Sequence, residues 1–197
     1  WSRGIIDSAS TGMVRTVQTT SRSRRPRMRS SCSSTTVVWS PSVAARVGVT
    51  DAGVLYHFGT KADLLLAVLA HHDARWAEMV LAARALGPAE ELRRLSDWGA
   101  EMEKHTDLVA LLVILSAEHL REHTPTNAYL RTRYKTVVDG YRDTFAAAAG
   151  AGLICADVDA RAEAVALAAF LDGIRLQWFF TDGAVSMADA VRRYIDR

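Results

Sequence analysis

The sequence of 197 residues predicts an all-α fold, with a small N-terminal domain followed by a larger helical domain. Downstream of Thr60, apolar residues recur at the spacing of one helix face, and no stretch alternates convincingly at the period of two that a strand shows. Glycine and proline interrupt this region, for example at Gly87-Pro88, Pro125 and Gly183. We therefore expect helices near residues 61–85, 88–104, 107–123, 126–149, 159–181 and 186–196.

The composition, with 49% hydrophobic and 23% charged residues, is typical of a soluble globular protein. No apolar stretch reaches the roughly 18 residues of a membrane helix, so we expect no membrane partner. The N-terminus lacks the apolar core of a signal peptide, which predicts a cytoplasmic protein. Cys32 and Cys155 stand alone, and this spacing argues against a disulfide framework and a structural zinc site. We expect no cofactor.

Charge is distributed unevenly along the chain. Residues 1–50 contain eight arginines and one acid, a net charge of +7, whereas the remaining residues carry a net charge of −5. A basic N-terminal region on an acidic body favours contact of that region with a polyanion. A solvated basic tail is the alternative. Within this region, residues 13–41 are rich in Ser, Thr and Arg without a helical period, and we expect them to be irregular.

A short helix, a tight turn and a second helix are predicted within residues 42–60. Val43, Ala44 and Val47 lie on one face of the first helix, and Gly48 ends it. Thr50 can cap the second helix, which ends near Phe58 and Gly59. Thr60 is a further cap residue, and Asp63 stands three positions later, at the spacing of a capping box.

This arrangement is that of a helix-turn-helix DNA-binding unit. The small residues Ala52 and Gly53 allow the second helix to approach base edges, and its N-terminal amides can bind a phosphate. Tyr56, His57 and Lys61 can each donate a hydrogen bond to phosphate oxygens. We therefore predict a DNA-binding domain over residues 1–60, followed by a larger helical domain over residues 61–197.

The run from Val43 to Phe58, continued by Gly59 to Leu65, resembles the tetracycline-repressor (TetR) family of transcriptional regulators. Its Leu-Tyr-His-Phe block followed by Lys and Leu-Leu is highly characteristic of that family. Asp157 to Asp159 and Leu171 to Trp178 resemble, more weakly, the C-terminal effector-binding half of such proteins. This resemblance implies that residues 61–197 form an effector-binding and dimerisation domain. The resemblance implies a ligand-responsive repressor, not an enzyme, that leaves a palindromic double-stranded operator when a small molecule binds.

The resemblance also assigns individual roles in DNA binding. It implies that Thr50, Asp51, Ala52 and Gly53 face the major groove, that Tyr56, His57 and Lys61 hold the DNA backbone, and that Phe58 packs the helices together. Residues 1–41 depart from the family, because the Ser/Arg-rich stretch replaces the end of its first helix. Residues 13–41 are therefore interpreted either as a shifted reading frame in the source sequence or as a disordered insertion.

The predicted helix near residues 159–181 is apolar nearly all round. Leu167, Leu171, Ile174 and Trp178 form one stripe, while other apolar residues occupy the remaining faces, so we expect burial on more than one side. The family resemblance implies a homodimer built from this helix and the helix near 126–149. For the unknown effector, the candidate pocket residues are Trp98, Met102, His105, His119, Phe170 and Trp178, with ordinary core packing as the alternative for each.

Two alternatives to a DNA-binding regulator remain at the level of sequence. His119, Glu122 and His123 match the H-x-x-E-H pattern of inverted zinc peptidases, which would give a hydrolase or a regulatory metal site. The following Thr124-Pro125 ends the helix there, and no companion motif supplies a third ligand. The other alternative is a helical dimer that has lost DNA binding. We predict no catalytic residue and no metal ligand.

Overall fold

The computed structural model describes Tyr56, residues 58–121 and residues 123–196. Six helices lie within these residues and no strand does: α1 Lys61–Ala85, α2 Pro88–Lys104, α3 Thr106–Glu118, α4 Pro125–Gly150, α5 Ala160–Phe180 and α6 Met187–Ile195. The all-α prediction is thus confirmed for this part of the chain. The irregular segment 13–41 and most of the predicted helix-turn-helix lie outside the described residues.

Two compact units make up the chain, one ending at Val68 and the other spanning Leu69–Arg197. The division falls within α1. The predicted division into domains 1–60 and 61–197 is a functional one and stays a prediction.

The start of α1 confirms the predicted capping box. Gly59 adopts a positive φ of 75°, a conformation that glycine reaches without strain. The backbone N–H of Asp63 donates to the Thr60 hydroxyl at 3.1 Å, and the backbone N–H of Thr60 donates to the Asp63 carboxylate at 3.0 Å. Two N–H groups at the helix start are therefore satisfied reciprocally, which fixes where α1 begins.

The other helix starts follow the same local chemistry. Pro88 opens α2 directly after Gly87, whose φ is +107°. The Thr124 hydroxyl accepts a hydrogen bond from the backbone N–H of Asn127, at the start of α4, at 3.2 Å. Asp159 and Ser186 cap α5 and α6 in the same way. Caps and prolines are local signals, so these boundaries agree with the sequence prediction to within one residue.

The predicted helix near residues 107–123 is wrong at its C-terminal end, because α3 stops at Glu118. His119 is the C-cap, and its backbone N–H donates to the carbonyl of Leu115 at 3.1 Å. The carbonyl of His119 accepts a hydrogen bond from Nδ2 of Asn127 at 2.7 Å. A side chain of the next helix thus satisfies a carbonyl that a longer α3 would have used internally.

The core lies between α2, α4, α5 and α6. Helix α2 packs along α6, and α4 packs along α5. The predicted stripe on α5 is confirmed as an inward face, since Leu167, Leu171 and Ile174 are buried and Trp178 is half-buried against the same cluster. Val165 and Leu176, on another part of α5, remain 45% and 43% exposed. One side of this apolar helix is therefore uncovered among the residues that the structure describes.

Candidate functional site

A cavity of about 720 Å³ lies within the unit Leu69–Arg197. Its walls come from α1, α2, α3 and α4, and α5 contributes Arg175. Trp76, Trp98 and Met102 give it broad apolar surfaces, and Trp98 and Met102 are buried. A concave, mostly apolar space of this size with a few polar groups has the character of a small-molecule site.

A charged cluster joins α1 to α4 at the cavity wall. Arg133 donates to both oxygens of Asp73, with Nε–Oδ2 at 2.7 Å and Nη2–Oδ1 at 2.9 Å. The Tyr129 hydroxyl donates to Asp73 Oδ2 at 3.0 Å. Burial and the negative charge of Asp73 raise the pKa of Tyr129, which therefore stays protonated as a donor. The bidentate arginine pair fixes both distance and orientation between the two helices.

A second polar cluster holds α2 against α1 and α4. Glu91 is only 4% exposed, and its Oε1 accepts hydrogen bonds from Nη2 of Arg84 at 2.8 Å and from the Thr144 hydroxyl at 2.7 Å. The bond to Glu91 raises the pKa of Arg84. A carboxylate buried in this way is tolerated because a cation and a hydroxyl satisfy it together.

Arg175 is the basic group that α5 places at the cavity. The residue is 8% exposed, its Nη1 donates to Asp172, and its guanidinium lies 4.8 Å from the centre of the Trp98 ring. Its Nε is buried without a hydrogen-bond acceptor. Burial lowers the pKa of Arg175, with Asp172 acting in the opposite direction. Burial also raises the pKa of the neighbouring Tyr141 to about 12, so its hydroxyl is protonated at neutral pH.

His72 also lines the cavity, on α1. Burial lowers its pKa from the ordinary value of 6.5, and the nearby Asp73 opposes this effect only in part. The His72 imidazole is therefore neutral at pH about 7, where it can both donate and accept a hydrogen bond. Its ring meets that of His105 edge to face, with 5.7 Å between the ring centres.

The structure brings two of the six predicted effector residues together. Trp98 and Met102 line the cavity, on one face of α2. His105 contacts the cavity residue His72 but is not itself in the wall, and His119 caps α3. The remaining two lie elsewhere: Phe170 stacks on Tyr194, and Trp178 lies beside Gly183. Whether any of the six binds an effector stays a prediction.

Sequence reasoning missed the charged lining residues Asp73, Glu91, Arg133 and Arg175. One of them had a visible signal. Arg175 is the only basic residue between Glu163 and Thr181, in a helix that is otherwise almost wholly apolar. An arginine in such a helix is costly to bury and is therefore a functional candidate. The other three could not be separated from ordinary surface charges on amphipathic helices.

Most of the predicted DNA-binding residues cannot be placed. Thr50, Asp51, Ala52, Gly53 and His57 lie outside the described residues. Tyr56 is 93% exposed. Lys61 is the first residue of α1, and its side chain lies outside the described part of the structure.

His119 and His123 do not have the geometry that the metal-site interpretation requires. Because α3 ends at Glu118, His119 and His123 do not share a helical face, and Glu122 lies outside the described residues. Among the residues that the structure describes, no group of three or more His, Cys, Asp or Glu side chains could hold a metal ion. In the same part of the chain, no helix is both long and apolar enough to cross a membrane.

Comparison with known proteins matches the domain that contains the cavity. A family model described as the C-terminal domain of BetI-type transcriptional repressors matches residues 88–197, which are more than half of the chain and comprise α2 to α6. No curated protein and no solved structure gives a significant match. This match agrees with the resemblance found around the Leu-Tyr-His-Phe block, although it rests on different residues. The chain therefore belongs to the TetR family of transcriptional regulators, with a C-terminal domain of the BetI-type repressors.

Proposed function

We propose that the protein is a ligand-responsive transcriptional repressor that acts in the cytoplasm and leaves its palindromic operator when a small molecule fills the cavity. The observation that carries the proposal is the cavity itself, because residues of α1 from Leu69 to Arg84 form part of its wall. In the chain, α1 follows directly on the predicted recognition segment 43–60. A ligand that changes the orientation of α1 therefore acts on the helix that directly follows the recognition segment in the chain.

DNA binding is proposed from the sequence of the N-terminal region. Its net charge of +7 over residues 1–50 favours a polyanion, and the helix-turn-helix spacing favours the major groove. Thr50, Asp51, Ala52 and Gly53 would meet base edges, while Tyr56, His57 and Lys61 would hold phosphates. The high exposure of Tyr56 is compatible with this role.

A homodimer is proposed from the exposed apolar side of α4 and α5. Tyr134 on α4 and Val165, Leu176 and Phe180 on α5 are 43–84% exposed, although they are large and hydrophobic. Two recognition helices must be about 34 Å apart to enter successive major grooves of a palindrome, which a two-fold dimer provides. Light scattering of the full chain should give twice the protomer mass.

The coupling between cavity and DNA is proposed to pass through the Asp73 cluster. Arg133 and Tyr129 tie α1 to α4, so a ligand that spreads or tightens this wall changes the angle at which α1 leaves it. The ligand then favours a dimer whose heads do not fit consecutive grooves. Differential affinity for the two states sets the loss of DNA affinity, typically about 1–3 kcal/mol of coupling.

A gel-shift titration of the full chain against promoter DNA of its own gene tests DNA binding. Retention should fall steeply between about 50 and 200 mM salt, because bound phosphates release counterions. Lys61→Ala should weaken retention and reduce the salt slope by about one, as expected for a lost phosphate contact. Lys104→Ala, which removes the same charge from an exposed position on α2, is the matched control and should change neither.

Absence of retention across this salt range would contradict the proposal and favour a helical dimer that has lost DNA binding. Retention that does not respond to salt would contradict the phosphate contacts. Equal effects of Lys61→Ala and Lys104→Ala would show that net charge, rather than the recognition segment, governs binding.

A further inference from the structure

We infer that the effector is an amphipathic organic acid, whose carboxylate binds Arg175 while its apolar body lies against Trp98 and Trp76. The inference rests on the proposed function, since it names the ligand class of the same cavity. It depends on three observations: the unsatisfied donor of Arg175, the pairing of the other charges in the wall, and the support of the guanidinium by Trp98.

The first observation is the incomplete hydrogen bonding of Arg175. Its Nη1 is engaged with Asp172, whereas its Nε is buried and has no acceptor. A buried charged donor without an acceptor is strongly unfavourable, and the guanidinium cannot escape by losing its proton. The Nε atom is also closed to solvent. A ligand acceptor would remove this penalty once the guanidinium turns toward the cavity.

The second observation is that the other charges in the described cavity wall already have partners. Three ion pairs have both members in the wall: Asp73–Arg133, Glu91–Arg84 and Glu101–Lys104. Of the remaining two charged residues, Arg94 pairs with Glu90 and Asp97 pairs with Arg93. A cationic ligand would therefore have to displace an arginine or lysine from its carboxylate. An anionic ligand has Arg175 at hand, whose partner Asp172 is 59% exposed and can turn to water.

The third observation is the position of the guanidinium over Trp98. The guanidinium carbon lies 4.8 Å from the centre of the Trp98 ring, in a cavity wall that also contains Met102 and Leu95 of the same helix as Trp98. Arginine presents Nε and one Nη as a fork that fits a carboxylate with two parallel hydrogen bonds. Because Nη1 is used by Asp172, the fork formed by Nε and Nη2 is the side left for a carboxylate once the guanidinium turns toward the cavity. The apolar surfaces around it then select an acid with a hydrophobic body.

The test uses two series of molecules that differ only in the polar group. One series is phenylacetate, phenylacetamide and phenethylamine, and the other is decanoate, decanamide and decylamine. Binding to the full chain is measured by calorimetry and by the shift in Tm. In at least one series, the acid should bind about tenfold or more tightly than the amide and the amine, because a charge-assisted pair is lost. Arg175→Met should reduce acid binding by a similar factor, and Arg175→Lys should restore part of it.

A second variant protects the test against misfolding of Arg175→Met. Asp172→Asn removes the competing carboxylate from Arg175 and should strengthen acid binding about threefold or more. The matched control is Asp189→Asn. Asp189 is an equally exposed acid, paired with Arg192 three residues later, but its arginine does not line the cavity. Asp189→Asn should leave acid binding unchanged.

Three results would overturn the inference: neither acid binds, an amine or amide binds as tightly as its acid in both series, or the variants at Arg175 and Asp172 leave acid affinity unchanged. The proposed function and the ligand class can each fail without the other. If acids bind through Arg175 but do not release promoter DNA in the gel shift, the ligand class holds and the repressor mechanism does not. If an amine releases DNA and no acid does, the mechanism holds and the ligand class does not.

Discussion

Gly99 is the position at which a single methyl group should disturb this fold most directly. It lies in the middle of α2, where the start of α6 crosses. A Cβ at Gly99 would lie 2.4 Å from the carbonyl oxygen of Met187, 2.6 Å from its carbonyl carbon and 2.8 Å from Cα of Ala188. All three are backbone atoms, so no side-chain rotation can relieve the clash.

The magnitude follows from the distance that α6 must move. Ordinary van der Waals contact begins near 3.4 Å, so the backbone at Met187 has to retreat by about 1 Å. Met187 and Val191 are fully buried against Trp98 and Leu95, and their contacts would loosen together. Overpacking typically costs about 1–3 kcal/mol, and the better helix propensity of alanine offsets about 1 kcal/mol of that. We expect Gly99→Ala to lower the free energy of unfolding by about 1–2 kcal/mol.

Urea denaturation followed by circular dichroism measures this change, with Gly140→Ala as the matched control. Gly140 is also inside a helix, α4, but a Cβ there would meet nothing within 4 Å, and the residue lines the cavity rather than the proposed dimer surface. Gly140→Ala should therefore stabilise the protein by about 0.5–1 kcal/mol through helix propensity alone. If Gly99→Ala is as stable as Gly140→Ala, the close approach of α6 to α2 is wrong.

Two further predictions concern the buried carboxylate of Glu91 and the half-buried carboxylate of Asp107. Arg84→Ala leaves the buried Glu91 with only the Thr144 hydroxyl as its partner, and should lower the free energy of unfolding by about 2–3 kcal/mol. The loss is smaller than is usual for a broken buried pair because the Arg84 side chain is 41% exposed. Denaturation at neutral pH measures the change, and a loss below about 0.5 kcal/mol would contradict the prediction. Burial raises the pKa of Asp107 above its ordinary value of 3.8, and its Oδ2 has no hydrogen-bond partner. The charged carboxylate therefore lowers the stability of the fold at pH values above the folded-state pKa. This penalty disappears at pH values below the pKa of the unfolded state, where the group is protonated in both states. Asp107→Asn should thus be more stable than the wild type at about pH 7 and lose that advantage near pH 3, and an advantage that grows toward low pH would refute the reasoning.

The sequence by itself determined the elements of the helical domain, because the signals that set them are local. Apolar spacing fixed the faces of α5, and Thr60 with Asp63 fixed the start of α1 through hydrogen bonds across three residues. The exception shows the limit of local reasoning. Residues 107–124 contain no glycine or proline, so the apolar periodicity predicted a helix that continued to residue 123. The side chain of Asn127 completes the end of α3 at His119, and this contact exists only once α4 is in place.

The tertiary structure alone decided which residues form the cavity. Arg133 meets Asp73 across 60 positions of the chain, and Thr144 meets Glu91 across 53. At such separations, helix periodicity gives the face of each residue but not its partner. Of the predicted pocket residues, Trp98 and Met102 line the cavity because they share the inward face of α2, whereas the aromatic residues of α5 pack toward α6 and the loop before it. Long-range packing, rather than residue type, determined which residues line the cavity.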